Sequence, residues 1–99
     1  MSEQINPKYK NEVIKAVEYH FPHAKIILFG SRARGTAKEG SDIDIAIDNK
    51  EPVPLLEIPR IKATMENLTI PLMVDVVDLH RIPVELKNLI LAEGIVWKN

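Results

Sequence analysis

Apolar residues recur at helical spacing near the start of the chain, where they would share one face of a helix. They are Tyr9, Val13, Ala16, Val17 and Phe21. Asn6 followed by Pro7 is a typical helix start, because asparagine can cap a free amide and proline suits the first helical position. Pro22 ends the pattern, since the residue before a proline is driven out of helical geometry. The pattern predicts a helix that begins at Pro7 and ends before Pro22.

Three stretches further along have the character of β-strands. Residues 24–29 form a short apolar run that ends at Gly30, residues 42–47 alternate between polar and apolar side chains, and residues 73–79 are rich in valine. Residues 31–35 lie between the first two strands and are long enough for only one or two helical turns. The spacing leaves open whether those two strands pair in parallel or antiparallel.

Two further helices are predicted in the second half of the chain. One starts near Pro59, and the other has Pro83 at its first position and Gly94 just beyond its end. Their apolar faces are Ile61, Met65 and Leu68 in the first and Leu86, Leu89 and Ile90 in the second. Residues 95–98 form a short terminal strand.

Helices alternate with strands along the whole chain, and such alternation indicates a sheet covered by helices. We therefore predict an α/β (α+β) fold with a small mixed β-sheet. A chain of 99 residues favours a single domain, here residues 1–99.

Composition narrows the function classes. Thirteen basic and fourteen acidic side chains give a net charge of -1, which disfavours general nucleic-acid binding. The chain has no cysteine, so it has neither disulfides nor thiolate metal sites. No apolar run approaches the ~20 residues needed to span a bilayer, and no signal-peptide pattern opens the sequence. We expect a cytoplasmic protein without membrane association.

Asp42 and Asp44 are unusual in a strand, where carboxylates are depleted. Residues two apart point to the same face of a strand, with Cα atoms about 6.6 Å apart, so the two side chains can share a cation. The isoleucines between and after them point the other way, into the core. Oxygen ligands without nearby sulfur favour Mg²⁺ or Mn²⁺ over zinc.

The turn at Gly30 and Ser31 is a candidate anion site. A strand that ends in Gly-Ser before a short helical turn presents free backbone amides, and glycine lets a phosphate approach closely. The Ser31 hydroxyl adds a donor, and Arg32 and Arg34 would add positive charge. The stretch is not a Walker A loop, because no Gly-Lys-Ser/Thr follows.

A third carboxylate would complete a site for two metal ions. Asp75 and Asp78 are three apart in the third strand, so they face opposite sides and only one can join the pair. We favour Asp75, which lies between valines within the strand, over Asp78 at the strand end.

Gly30-Ser31, ten intervening residues and then Asp42-Ile43-Asp44 resemble the GS-x10-D-x-D motif of the DNA polymerase beta-like nucleotidyltransferase superfamily. The stretches GSRARG, SDIDIAI, VDVVDL and EGIVWK extend this resemblance to its minimal nucleotidyltransferase (MNT) branch, from Ile26 to Trp97. The resemblance implies the nucleotidyltransferase palm fold.

The resemblance also implies a mechanism. Asp42 and Asp44 would bind two Mg²⁺ ions that hold the triphosphate of ATP or another NTP, and Asp75 would complete the metal site. Gly30 and Ser31 would hold the outer phosphates. A nucleoside monophosphate, expected to be AMP, would then pass to an acceptor hydroxyl.

Similar minimal nucleotidyltransferases pair with a separate HEPN-domain protein, and several such pairs resemble toxin–antitoxin modules. The resemblance thus implies AMP transfer to a tyrosine of a HEPN toxin, with this chain as antitoxin. One alternative is a weakly active or inactive protein of the same fold that neutralises the partner by stoichiometric binding. Another is transfer to a small molecule, as in aminoglycoside nucleotidyltransferases, which carry a further domain. The exposed edges of a small palm make self-association or a heteromeric complex plausible.

Overall fold

The computed structural model describes residues 4–99 of the chain and contains four helices and four strands there. In chain order they are α1 (Pro7–His20), β1 (Lys25–Phe29), α2 (Ser31–Arg34), β2 (Ile43–Asp48), α3 (Glu57–Glu66), β3 (Val74–Asp78), α4 (Val84–Glu93) and β4 (Ile95–Lys98). The predicted order of elements is confirmed. Apolar residues at the expected positions explain why: they line the faces of α1 and α3 that pack on the sheet, and they bury β1 on both of its faces.

The four strands form one mixed sheet in the order β3-β2-β1-β4. β1 pairs antiparallel with both β2 and β4, whereas β2 and β3 are parallel. The pairing of the first two strands, which the sequence left open, is therefore antiparallel. This order places β2 in the interior of the sheet and leaves β3 and β4 as the outer strands.

The main core lies between α1, α3 and one face of the sheet. Ile43, Ile45 and Ile47 on β2 are fully buried there, as the alternation predicted. Val13 and Val17 on α1 and Ile61 and Met65 on α3 pack on the same cluster.

The opposite face of the sheet is covered only in part. Ile27 and Ala46 pack there against Ile90 of α4 in a second, smaller apolar cluster. Leu89, which we predicted to share the packed face of α4, is 45% exposed instead, because the face of α4 that meets the sheet is narrow. The part of this face around Asp44 carries no such cover.

Helix ends differ from the sequence prediction at two prolines and one glycine. α3 begins at Glu57, so Pro59 lies within its first turn, and Pro83 is the residue that precedes α4 instead of its first helical residue. Gly94 ends α4 with extended backbone instead of the left-handed conformation usual beyond a helix. Its lack of a side chain is needed for another reason: a Cβ there would lie 2.4 Å from Ile27 Cγ2 and 2.5 Å from the Ile90 carbonyl oxygen.

Among residues 4–99, none of the helices has the length and apolar character required to cross a membrane.

Candidate active site

Asp44 and Asp75 lie side by side on the partly open face of the sheet. They are direct partners in the parallel pairing of β2 with β3, and paired residues of parallel strands point to the same face. Asp42 precedes β2 by one residue, is exposed, and is close enough for its charge to act on Asp44. The structure thus brings together the three carboxylates singled out in the sequence.

The environment of Asp44 disfavours its charge. Partial burial raises the pKa of this carboxyl above its ordinary value, the negative charges of Asp75 and Asp42 raise the pKa further, and the positive charge of Arg34 opposes them. A site in which neighbouring carboxylates repel one another has an unmet demand for positive charge.

Lys62 supplies part of that charge. This α3 side chain reaches the free edge of β3, where its ammonium nitrogen lies 3.5 Å from Asp75 Oδ1. Across residues 4–99, no three acidic or imidazole side chains are close enough in their present positions to enclose a metal ion.

The donor set nevertheless suits a magnesium ion. The three carboxylates offer hard oxygen ligands: Asp44 and Asp75 are partners on adjacent strands, and Asp42 lies two residues before Asp44. Mg²⁺ prefers such ligands and usually takes the rest of its coordination shell from water and phosphate. The residues present therefore fit the metal that the sequence implied.

Gly30 sits directly against Asp44. A Cβ on Gly30 would lie 2.6 Å from Asp44 Oδ2, and the backbone φ of +76° is one that side chains rarely allow. Antiparallel pairing explains the contact, because Phe29 is the β1 partner of Asp44 and Gly30 follows it. Gly30 is therefore required twice, by its backbone conformation and by the room that the carboxylate needs.

Ser31 begins α2 immediately after this glycine. The amides of Ala33 and Arg34 both donate to the Gly30 carbonyl oxygen, which closes the turn. The first amides of a helix have no acceptor within it, so those of Ser31 and Arg32 are the ones available to an anion here. The turn lies on the β1 side of Asp44.

The two arginines of α2 have different surroundings. Arg34 is exposed, its charge acts on Asp44, and its guanidinium lies 3.8 Å from Glu93. It can therefore reach toward the carboxylate site, as the predicted phosphate role requires.

Arg32 is engaged with backbone carbonyls instead. Its Nε and one terminal nitrogen donate to the Ser41 carbonyl oxygen at 3.0 and 2.8 Å, and the other terminal nitrogen donates to that of Gln4 at 2.8 Å. These bonds fasten the loop that leads into Asp42. Arg32 therefore holds this loop in the structure, and the phosphate contact expected for it stays a prediction.

Asp78 lies on the other face of the sheet, as its spacing from Asp75 predicted. It is buried, and its oxygens accept from the amides of Val53 and His80, both at 2.9 Å, while Arg81 lies 3.6 Å away. Asp78 therefore anchors the loop before α3 and takes no part in the carboxylate cluster.

Two polar contacts were not foreseen from the sequence. Lys62 lies thirteen residues before Asp75 in a different element, and only the packing of α3 against β3 brings them together. His80 is half-buried, and its Nε2 lies 2.6 Å from Asp48 Oδ1. A basic residue on the core-facing helix next to an acidic edge strand is the one signal that could have suggested Lys62.

Comparisons with known proteins agree with this geometry. The family model described as "Polymerase beta, Nucleotidyltransferase" matches residues 11–98. A Haemophilus influenzae protein that carries the name "Probable protein adenylyltransferase MntA" is 39% identical over 57 residues, which is 58% of this chain and 50% of that protein. A Methanocaldococcus jannaschii protein, also named as a protein adenylyltransferase, is 40% identical over 68 residues, or 69% of this chain and 72% of that one.

Solved structures show the same architecture. A toxin–antitoxin crystal structure with AMP-PNP superposes with a TM-score of 0.78 at 27% identity, covering 91% of this chain and 73% of that chain. The complex of a tri-AMPylated Shewanella oneidensis HEPN toxin with its MNT antitoxin has a TM-score of 0.75 over 96% of this chain and 74% of that chain. Its identity of 23% makes it evidence for the fold alone.

Fold and site together define a nucleotidyltransferase palm: a small mixed sheet with carboxylates on adjacent strands beside a Gly-Ser turn. The chain belongs to the polymerase beta nucleotidyltransferase family and, within it, to the minimal nucleotidyltransferases. It spans about half the length of the Haemophilus influenzae relative that it matches.

Proposed function

We propose that this chain is a Mg²⁺-dependent adenylyltransferase that transfers AMP from ATP to a tyrosine of a HEPN-type toxin and thereby acts as its antitoxin. The observation that carries the proposal is the direct pairing of Asp44 with Asp75, one residue from the Gly30 turn. The two carboxylates and the Gly-Ser turn lie within one small patch of the sheet, which supports the proposal.

The comparisons support the choice of nucleotide and acceptor. Both relatives bear the name of protein adenylyltransferases, and the structure most like this one in TM-score among those described above contains AMP-PNP, an ATP analogue. It is also a toxin–antitoxin complex, which supports a protein acceptor.

The roles of the residues follow from their positions. Asp42, Asp44 and Asp75 would hold the Mg²⁺ ions, which supply positive charge against the phosphate oxygens. The Gly30 turn and the Ser31 hydroxyl hold the β- and γ-phosphates, and Arg34 adds charge from the exposed side.

The transfer is an in-line displacement. The acceptor oxygen forms a bond to the α-phosphorus, while the bond from that phosphorus to the oxygen bridging the β-phosphate breaks. Pyrophosphate leaves with that oxygen, and the phenolic proton passes to the Asp75 carboxylate.

The test mixes the purified chain, Mg²⁺, the HEPN-domain protein encoded beside it, and ATP labelled at either the α- or the γ-phosphate. We expect label on the partner from α-labelled ATP only, because AMP and not phosphate is transferred. Asp44→Ala should reduce labelling by about a thousandfold or more, whereas Glu51→Gln, an exposed loop carboxylate, should leave it unchanged.

Each other outcome has a defined meaning. Label from γ-labelled ATP would indicate a kinase and contradict the proposal. Tight association with the partner and no label from either nucleotide, unchanged in Asp44→Ala, would establish stoichiometric neutralisation instead. Tyrosine as the acceptor is checked by mass spectrometry of the labelled peptide.

A further inference from the structure

A cleft of about 470 Å³ opens along the free edge of β3, next to Asp75. Its walls include Met65 and Leu72, which are apolar, and its rim includes Met73, which is 70% exposed. Lys62 and Asp75 both line the cleft and are the ion pair described above. The cleft thus combines apolar walls with three charged side chains, those of Lys62, Asp75 and the exposed Glu66.

The order of the strands determines on which side of Asp44 this cleft lies. β2, with Asp44, lies between β1 and β3. The Gly30 turn follows β1, so the phosphates that leave as pyrophosphate lie on the β1 side of Asp44. In an in-line displacement the attacking oxygen approaches from the side opposite the leaving group, which here is the β3 side.

The walls of the cleft select the kind of side chain that can enter. Apolar walls beside a paired carboxylate and ammonium suit a residue with a flat apolar body and a hydroxyl tip, which is tyrosine. Asp75 can accept the hydroxyl proton, and the Lys62 ammonium can donate to the same oxygen. Serine or threonine would leave the apolar walls unfilled, and phenylalanine has no hydroxyl to donate to Asp75 or to accept from Lys62.

We propose that this cleft is the acceptor subsite, which seats the tyrosine of the partner protein with its hydroxyl between Lys62 and Asp75. The inference rests on the proposed function and adds to it the surface that receives the acceptor. Lys62 acts there as a positioning residue. When Asp75 binds the metal, the ammonium of Lys62 is left facing the incoming hydroxyl oxygen.

The kinetic test blocks the mouth of the cleft. Met73→Trp adds bulk at an exposed rim position, and Leu55→Trp makes the same change at an equally exposed position outside the cleft, since both side chains are 70% exposed. We expect Met73→Trp to raise KM for the partner about tenfold or more while KM for ATP changes by less than about twofold. Leu55→Trp should change neither by more than about twofold. A rise in KM for ATP alone would assign the cleft to the nucleotide and overturn the proposal.

A binding test works without any turnover. Met65 and Met73 both line the cleft, so ¹³C-methyl methionine signals report on its occupancy. Titration with N-acetyl-tyrosinamide should shift both signals, and N-acetyl-phenylalaninamide should shift them less at equal concentration. Lys62→Met should remove that difference, whereas Lys15→Met, an exposed lysine of α1, should preserve it.

The two tests separate failure of the subsite from failure of the proposed function. Absence of labelled partner together with a tyrosinamide response would reject the adenylyltransferase proposal while the cleft still binds a phenol. Labelled partner with no methionine response, and with an unchanged partner KM in Met73→Trp, would place the acceptor elsewhere. Equal responses to both probes would remove Lys62 and Asp75 from hydroxyl recognition and contradict the proposed seat.

Discussion

At the scale of single residues, position on the sheet decides what each carboxylate does. Asp75 and Asp78 belong to the same strand, yet one faces the partly open site and the other is buried under the loop before α3. The side chain of Asp75 is 45% exposed and contacts Lys62, whereas that of Asp78 is 2% exposed and accepts backbone amides. We therefore expect Asp75 to serve catalysis and Asp78 to serve stability.

Substitution by alanine tests this division. Asp78→Ala leaves the buried Val53 amide without its acceptor and should lower the free energy of unfolding by about 3 kcal/mol. Asp75→Ala should change that free energy by less than about 0.5 kcal/mol but abolish AMP transfer. Urea denaturation and the labelling assay measure the two effects. A destabilised Asp75→Ala, or an Asp78→Ala of wild-type stability, would reverse the assignment.

Asp48 makes stability depend on pH. Partial burial acts to raise the pKa of this carboxyl, but hydrogen bonds from His80 and the Lys50 amide outweigh it and hold the pKa below the ordinary 3.8. Because the folded state then binds its proton less readily than the unfolded state, Asp48 contributes stability above pH 3.8, and this contribution is lost as the pH falls through the lower folded value.

We expect Asp48→Asn to flatten this part of the acid response. Asparagine does not ionise, so the loss of unfolding free energy between about pH 6 and about pH 3 should be smaller than in the wild type. Urea denaturation across that range measures the difference. An equally steep loss in Asp48→Asn would assign the acid response to other groups, and Glu51→Gln, an exposed loop carboxylate, serves as the control.

At the scale of secondary-structure elements, much of the arrangement could be predicted from local pattern. The alternation along β2 predicted that Asp44 and Ile43 point to opposite faces of the sheet. The three-residue spacing predicted the same for Asp75 and Asp78. The sense of the β1–β2 pairing could not be predicted, because a connection containing only a short helix allows either direction. The role of Arg32 could not be predicted either, since its partners are backbone carbonyls that leave no sequence signal.

The junction between α4 and β4 depends on the close packing of Gly94 against β1, which the sequence pattern does not predict. Gly94→Ala would place a methyl group against Ile27 and the Ile90 carbonyl, and should lower the free energy of unfolding by about 1–3 kcal/mol. Gly40→Ala is the contrasting variant, because a Cβ there meets nothing within 4 Å and the penalty of about 1 kcal/mol comes from its positive φ alone. Thermal denaturation compares them. A Gly94→Ala variant no less stable than Gly40→Ala would show that the junction relaxes around the added methyl.

At the scale of the whole molecule, the polar end of the open face is a concentration of negative charge that folding must hold together. Burial and the neighbouring carboxylates raise the pKa of Asp44, so its ionised form opposes the folded state in the absence of a cation. A ligand that binds only the folded state and neutralises this charge should stabilise the entire chain.

Thermal unfolding with and without Mg²⁺ measures that coupling. At a metal concentration ten times its Kd, binding should stabilise the fold by about 1.4 kcal/mol, which for a domain of this size raises Tm by roughly 5–10 °C. Asp44→Asn should melt at or above the wild-type temperature without metal and lose the Mg²⁺ response, whereas Glu51→Gln should keep it. A Mg²⁺ response that survives in Asp44→Asn would move the metal site away from Asp44.

The division of the carboxylates between an inner and an outer strand has an evolutionary consequence. In the proposed function, the half of the centre that would bind the nucleotide lies around β1 and β2, where Gly30 leaves no room for a side chain. The half that faces the incoming group borders residues 70–73, a connecting segment on the rim of the molecule. The proposed function therefore predicts that changes in that segment would alter the choice of acceptor, while the Gly30 turn and its carboxylates would stay the same.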